Sequence, residues 1–264
     1  MATFGWAIIG TGRIANTVAK EITATGRHKI VAVASRTLSK AEKFANKFDA
    51  AVYNNNKDAV LADGVDAVYI ATPHSAHYPL ILECIKYGKP ILCEKAFTVN
   101  AKQARIALQE AEKAGVYLSE AMWTRFNPVV RQVVEWVKNG EIGEIKSIKA
   151  NFCLPLKLTK NFVSKRVYKA EYAGGALLDL GVYPIAYCHM LLGKPASIET
   201  KTRIFDGVDY DDQITLTYKN AICKLNCSFD KLMTYKGEIV GSKGKIVSPM
   251  FYKPNSATLI NANG

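Results

Sequence analysis

No two cysteines in this sequence stand at C-x-x-C spacing, although there are six, at positions 84, 93, 153, 188, 223 and 227. They fall mostly inside apolar or strand-like stretches, which points to reduced core thiols rather than a disulfide or metal framework. Histidine is scarce: only His28, His74, His77 and His189 occur, with His74 and His77 the one close pair. That is too thin a ligand supply for a metal site to be expected. Apolar runs such as "PLILECI" fall far short of a membrane span, and "FGWAIIG" follows no basic and apolar leader. The expectation is a cytoplasmic protein with no membrane partner. The net charge of +12 would fit nucleic acid or an anionic cofactor. The lysines are spread singly, as in "AEKFANKF" and "KLNCSFDK", with no long basic run and no arginine and aromatic array. A nucleic-acid partner is therefore not expected.

What is present is a core-forming composition: 264 residues, 49% of them hydrophobic, enough for one large or two moderate domains. "GWAIIG" is a short buried-strand run, and in the following "TGRIANTVAKEI" Ile14, Val18 and Ile22 recur every four residues on one helical face. "KIVAVASR" predicts a β-branched strand, "LSKAEKFANKF" a helix capped by Ser39, and "DAVYIATP" a third strand. "PLILECIKYGK", "PILCEKA", "AKQARIALQEAEKAG" and "VYLSEAMW" continue the alternation as helix, strand, helix and strand. Such a rhythm implies a doubly wound parallel sheet covered on both faces, with right-handed crossovers.

"NPVVRQVVEWVKNG" next predicts a helix with Asn127 as cap, Pro128 in the first turn and Gly140 past the end. From about Lys146 the texture changes. "KSIKANFC", "ASIETKTRIF", "DQITLTYKN", "AICKLNCSF" and "KGEIVGSKGKIVS" read as strands in hairpin-like succession, with one helical insert near residues 176–192. In "AICKLNCSF", Ala221, Cys223, Leu225, Cys227 and Phe229 form an apolar face opposed by Ile222, Lys224, Asn226 and Ser228. The chain is thus expected to be α/β, with a Rossmann domain over residues 1–122 and an α+β domain with a mostly antiparallel sheet over residues 123–264.

"GTGRIA" directly follows a strand and opens a helix, the context a dinucleotide fingerprint requires. Gly10 and Gly12 allow a tight turn and close backbone approach to a pyrophosphate at the helix N-terminus; Ala15 stands at the third glycine position. Thr11, Arg13 and Ile14 complete that loop. The second strand ends in Ser35 and Arg36, where an NAD-type site wants Asp or Glu for the ribose hydroxyls. A small donor and a guanidinium suit a 2′-phosphate, which favours NADP over NAD. "ATPHSAHY", "CEKA" and "EAMWTRF" all fall at strand carboxyl ends, where open parallel sheets bind ligands. "GGALLDLGVY" places Asp179 and Tyr183 four residues apart in a small, apolar stretch. By spacing alone Asp179 reads equally as a helix cap and Tyr183 as a core aromatic. Pro184 either kinks a helix that runs through it or marks a helix beginning near Tyr183.

These motifs together resemble the oxidoreductase family of glucose–fructose oxidoreductase, inositol dehydrogenase and rhizopine-catabolism type (Gfo/Idh/MocA). "GTGRIA", "ATPHSAHY", "GKPILCEKA", "SEAMWTRFNP" and "GGALLDLGVYPI" occur in family order over essentially the whole chain. "EAMWTRFNP", "SR" and "GVY" look most like the branch that contains dimeric dihydrodiol dehydrogenase and NADP-dependent D-xylose dehydrogenase. Two departures stand out: Ala96 replaces the family's proline after Lys95, and the sequence stops at "LINANG", short of the family's usual C-terminal segment. If the chain were complete, its substrate site would be less enclosed.

The resemblance implies a substrate-binding and oligomerising second domain, a sugar, polyol or diol substrate, and a homodimer or larger assembly. It assigns catalytic roles to Lys95, Asp179 and Tyr183. It assigns Thr72, Pro73, His74, His77, Glu94 and Lys95, with Trp123 and Arg125, to the ribose and nicotinamide side of the cofactor. Each has a plainer reading. His74 and His77 could be helix-start histidines bonded to backbone, Glu94 could serve only to pair Lys95, Trp123 could be core, and Arg125 in an apolar setting would need an ion-pair partner. Two other functions compete with a dehydrogenase. One is a nicotinamide-binding regulator without turnover, against which the Lys95, Asp179, Tyr183 set speaks. The other is a glycosidase with tightly held NAD, against which Arg36 and a tyrosine at 183 speak.

Overall fold

The computed structural model describes residues 3–156 and 165–261. The chain divides into two compact units, Met1–Ala121 and Met122–Gly264. In the first, strands β1 (Phe4–Ile9), β2 (His28–Ala34), β3 (Ala51–Tyr53), β4 (Ala67–Ile70), β5 (Ile91–Cys93) and β6 (Leu118–Glu120) form one sheet in the order β3-β2-β1-β4-β5-β6. Every pairing is parallel. Sequence order reverses at β1, so the crevice beside its carboxyl end is the ligand position of a doubly wound sheet.

The central strands are apolar on both faces because helices cover both. Val68 and Ile70 pack with α4 (His74–Ile85) and α5 (Ala101–Lys113). Ile8 and Tyr69 pack with α1 (Arg13–Ala24) and α2 (Leu38–Ala45). On α1 the buried residues are Ala15 and Ala19, with Val18 and Ile22 packed at their edge. Ile14, expected on that face, is 41% exposed. The α2 cap position is Thr37, so Ser39 lies inside the first turn and does not cap. The segment before "DAVYIATP" also forms β3 and α3 (Asn56–Val60), making that strand the fourth. Helix α4 begins at His74 and carries Pro79 inside, five residues earlier than "PLILECIKYGK" suggested.

The second unit opens with a 3-10 turn (Trp123–Phe126) and α6 (Pro128–Lys138). Asn127 caps α6 by accepting from the Val129 and Val130 amides at 2.9 and 3.2 Å. A seven-stranded sheet follows, built from β7 (Ile145–Cys153), β8 (Ser197–Phe205), β9 (Val208–Thr217), β10 (Ile222–Ser228), β11 (Gly237–Gly241), β12 (Gly244–Ser248) and β13 (Thr258–Asn261). Its order is β13-β12-β11-β7-β10-β9-β8. It is antiparallel except where β10 lies parallel to β7. Both pairings of β7, parallel to β10 and antiparallel to β11, join strands that are not consecutive and so depart from a simple hairpin succession.

In β10 the apolar face is buried as expected, from Ala221 to Phe229, while Ile222 is 46% exposed. Ser228, expected on the outer face, is buried and accepts from the Asp230 and Lys231 amides at 3.1 and 3.2 Å. Against the inner face lies a π-helical turn (Leu177–Gly181) that runs into α7 (Val182–Leu192). The wider helical run Ala170–Leu192 is long and apolar enough to cross a membrane by composition. Here Leu180, Tyr183, Tyr187 and Cys188 of that run are buried in the core of the second unit.

Candidate active site

The loop after β1 begins with Gly10 at φ +96°, where a side chain would also strike the Ala71 carbonyl at 2.5 Å. Glycine is required there by the protein itself, because the loop after β1 touches the end of β4. Gly12 differs. It is the N-cap of α1, its φ is ordinary, and a Cβ there would meet no atom within 4 Å. The first amides of α1, which have no intrahelical partners, therefore open onto free space at the positive end of the helix dipole. Ala15, fully buried, packs the helix close to the sheet. Thr11 reaches the end of β2, its hydroxyl 3.4 Å from that of Ser35. Arg13 and Ile14 are exposed at the helix start, and Arg36 is exposed with no ion pair among the described residues. The open helix end and the free guanidinium beside a serine fit a pyrophosphate and a 2′-phosphate respectively.

At the carboxyl ends of β4 and β5 the polar groups are deeply placed. Pro73 is the cap position of α4, and His74 and His77 lie in its first two turns with rings 5.7 Å apart. His77 is fully buried, with Nδ1 2.8 Å from the Ala96 carbonyl and Nε2 3.0 Å from the Thr72 carbonyl. It ties the loop after β4 to the loop that presents Lys95. The Thr72 hydroxyl is buried without a hydrogen-bond partner among the described residues, so a donor or acceptor from a ligand would complete it. Glu94 is 6% exposed. It accepts from the Tyr69 hydroxyl at 2.5 Å and from the Lys95 amide at 3.2 Å. Burial raises its carboxyl above the ordinary range, opposed by the Tyr69 bond and the Lys95 charge.

In the second unit the "GGALLDLGVY" stretch resolves into the π-turn and the first turn of α7. Helical backbone runs through Pro184, because the π-turn continues without a break into α7; the proline therefore removes an amide that an interior helical position would otherwise donate. Asp179 lies inside the π-turn rather than at a cap, 3.8 Å from the Arg166 guanidinium. Tyr183 is 7% exposed. Its ring sits among Phe152 at 5.3 Å, Tyr252 at 5.7 Å and Trp123 at 5.9 Å. The Trp123 indole N–H donates to the Tyr183 hydroxyl at 3.1 Å. Trp123 is thus a partner of the catalytic candidate within its own unit. Arg125 is exposed, without the apolar setting that the sequence suggested and with no ion-pair partner among the described residues.

Sequence reasoning missed three residues here. Arg166 lies 13 positions before Asp179, with no pattern linking them. Phe152 and Tyr252 stack at 4.0 Å although one belongs to β7 and the other follows β12. Only the richness of the second half in aromatics hinted at such a cluster.

Residues 4–122 match the oxidoreductase family with an NAD-binding Rossmann fold, and residues 130–247 match the GFO/IDH/MocA C-terminal domain. The trans-1,2-dihydrobenzene-1,2-diol dehydrogenase of Mus musculus is 34% identical over 90% of this chain and 72% of its own. The NADP(+)-dependent D-xylose 1-dehydrogenase of Hypocrea jecorina is 34% identical over 99% of this chain and 76% of its own. Among solved structures, KijD10, a 3-ketoreductase from Actinomadura kijaniata in complex with NADP and TDP-benzene, superposes with a TM-score of 0.87. It is 27% identical and covers 99% of this chain and 82% of its own. With both halves matched in order and the fingerprint glycines, the Lys95 loop and the Asp179–Tyr183 turn in place, the chain belongs to the GFO/IDH/MocA family of oxidoreductases.

Proposed function

We propose that the protein is an NADP-dependent dehydrogenase or reductase acting on a secondary alcohol, lactol or carbonyl of a sugar, polyol or trans-diol. The observation that carries this is Tyr183: a nearly buried phenol set among aromatic rings, with an indole N–H aimed at its oxygen. A packing tyrosine is satisfied by any partner for its hydroxyl, whereas a tyrosine that gives and takes a proton gains specifically from a donor, because the N–H holds the oxygen when the proton has left. When bound, the nicotinamide supplies the hydride acceptor or donor. Tyr183 then moves the hydroxyl proton, Lys95 supplies the fixed positive charge, and Asp179 orients the turn with Arg166. Thr11, Gly12, Arg13, Ser35 and Arg36 hold the phosphates.

Support comes from relatives named as acting on D-xylose with NADP(+) and on a trans-dihydrodiol, and from the neighbour solved with NADP. The test is a panel of D-xylose and other aldoses, polyols and trans-1,2-dihydrobenzene-1,2-diol against NADP and NAD, followed by reduced-cofactor absorbance. Net reduction of NADP is expected. Glycosidic cleavage without net reduction would replace the proposal, and cofactor binding without turnover on the whole panel would favour a regulator.

Cofactor choice rests on Arg36. Arg36→Ala is expected to weaken NADP binding by about 1.5–3 kcal/mol and to leave NAD little changed, because only NADP has the phosphate to lose. Equal losses for both cofactors by calorimetry would remove Arg36 from the phosphate site.

The assembly is proposed to be a homodimer or larger through the sheet of the second unit and its β8 edge. Ile198, Ile204 and Phe205 of the edge strand β8, at 60–69% exposure, and Ile222 of β10 are exposed apolar side chains of that sheet. Such exposed apolar side chains on a wide sheet invite a partner. Light scattering at micromolar concentration should give at least twice the 29.0 kDa chain mass; a monomer mass would contradict it.

A further inference from the structure

The turn that carries Asp179 has no cap of its own. A helix start leaves its first amides without intrahelical partners, and a nearby Ser, Thr, Asn or Asp usually accepts from one of them. Residues 173–176 here are Ala, Gly, Gly and Ala, none of which has an acceptor side chain. The acceptor comes instead from β9, 32 residues downstream, where Asp209 Oδ2 takes the Leu177 amide at 2.6 Å. The other oxygen of the same carboxylate explains one glycine of the pair. A Cβ at Gly175 would lie 2.2 Å from Asp209 Oδ1, and Gly175 has φ +110°.

A bulge aims Asp209 at this place. Arg203 pairs with Asp211 and Ile204 with Asp209, so Tyr210 is left as an extra residue in β9. Regular alternation would put Asp209 on the side of Asp211. The inserted residue turns it to the side of Asp212, toward the π-turn. There the far end of the turn is anchored as well. Gly181 lies over β10, where a Cβ would be 2.8 Å from the Cys227 sulfur, and that thiol donates to Asp212 at 3.5 Å. Burial pushes the Asp212 carboxyl up to about 6, and the neighbouring Asp209 adds to the rise.

We propose that Asp209 is a positioning residue for the reaction: its carboxylate caps the Leu177 amide from β9 and so fixes the turn that presents Asp179 and Tyr183. It touches no reacting atom. Its effect on turnover rests on Tyr183 being the proton-transfer residue, but the cap itself does not. The test therefore has two arms. In the first, hydrogen exchange of the full chain compares wild type with Asp209→Ala and Asp209→Asn. Losing a charge-assisted bond should speed exchange across residues 177–183 by about tenfold or more in Asp209→Ala, with β10 unchanged. Asp209→Asn keeps an acceptor oxygen and should recover most of the protection.

In the second arm, turnover of NADP with D-xylose or trans-1,2-dihydrobenzene-1,2-diol should fall about tenfold in kcat for Asp209→Ala, with KM for NADP unchanged and partial rescue by Asn. Unchanged exchange in Asp209→Ala, or equal loss in both variants, would overturn the cap. Should Asp209→Ala fail to fold, Asp209→Asn against Asp209→Ser, too short to reach Leu177, makes the same comparison. Faster exchange without turnover in wild type on any member of the aldose, polyol and diol panel would uphold the cap and reject the proposed function instead.

Discussion

Tyr183→Phe is expected to lower kcat by about two to four decades while leaving the fold and cofactor affinity nearly intact, as for removal of a general acid–base group. The variant keeps the ring, and so its contacts with Phe152, Tyr252 and Trp123. What it loses is one hydroxyl and the acceptor of the Trp123 N–H. Trp123 is 36% exposed, so water can replace that acceptor and the stability cost should stay near about 1 kcal/mol. With Tyr183 as the proton-transfer group, the wild-type rate of alcohol oxidation is expected to rise with pH while that of carbonyl reduction falls. Tyr183→His, which keeps a ring nitrogen able to give and take a proton near neutral pH, should restore part of the activity with a more acidic profile. Steady-state kinetics at saturating cofactor and substrate decide the matter: near-normal turnover in Tyr183→Phe would make the tyrosine a packing residue.

Lys95→Met should cut kcat by about a hundredfold or more and change NADP affinity little, because the charge is needed chiefly where oxygen charge develops. The structure adds a second readout. Glu94 is buried, its carboxyl already raised by desolvation, and the Lys95 charge is one of the influences holding it down. Without that charge the Glu94 carboxyl should rise further. A carboxyl whose folded value lies above its unfolded one favours folding while protonated, and that contribution is lost as pH rises through the folded value. Lys95→Met should therefore be destabilised relative to wild type more at pH 8 than at pH 5, measured by thermal unfolding. A variant that keeps most of its activity would return Lys95 to a structural role beside Glu94.

The sequence by itself determined five of the six strands of the first unit's sheet, its fingerprint loop and the Ser35–Arg36 pair that follows β2. Parallel strands buried on both faces must be continuous apolar runs, and phosphate-binding turns must be glycine-rich; both requirements are local and therefore legible. It also determined the start of α6, since Asn127 and Pro128 act within one turn. The short edge strand β3 and α3 escaped it, because three strand residues followed by polar "NNNKD" leave no periodicity to read. Only the tertiary structure decided that the helix passes through Pro184, that β10 lies parallel to β7, and that Trp123 serves Tyr183. Only it decided, too, that the cap of the Asp179 turn is Asp209. Each of these joins residues many positions apart, and the last depends on one bulged residue in β9. A contact of that kind is set by how the sheet registers and where the helix packs, and no local pattern of residue types encodes it.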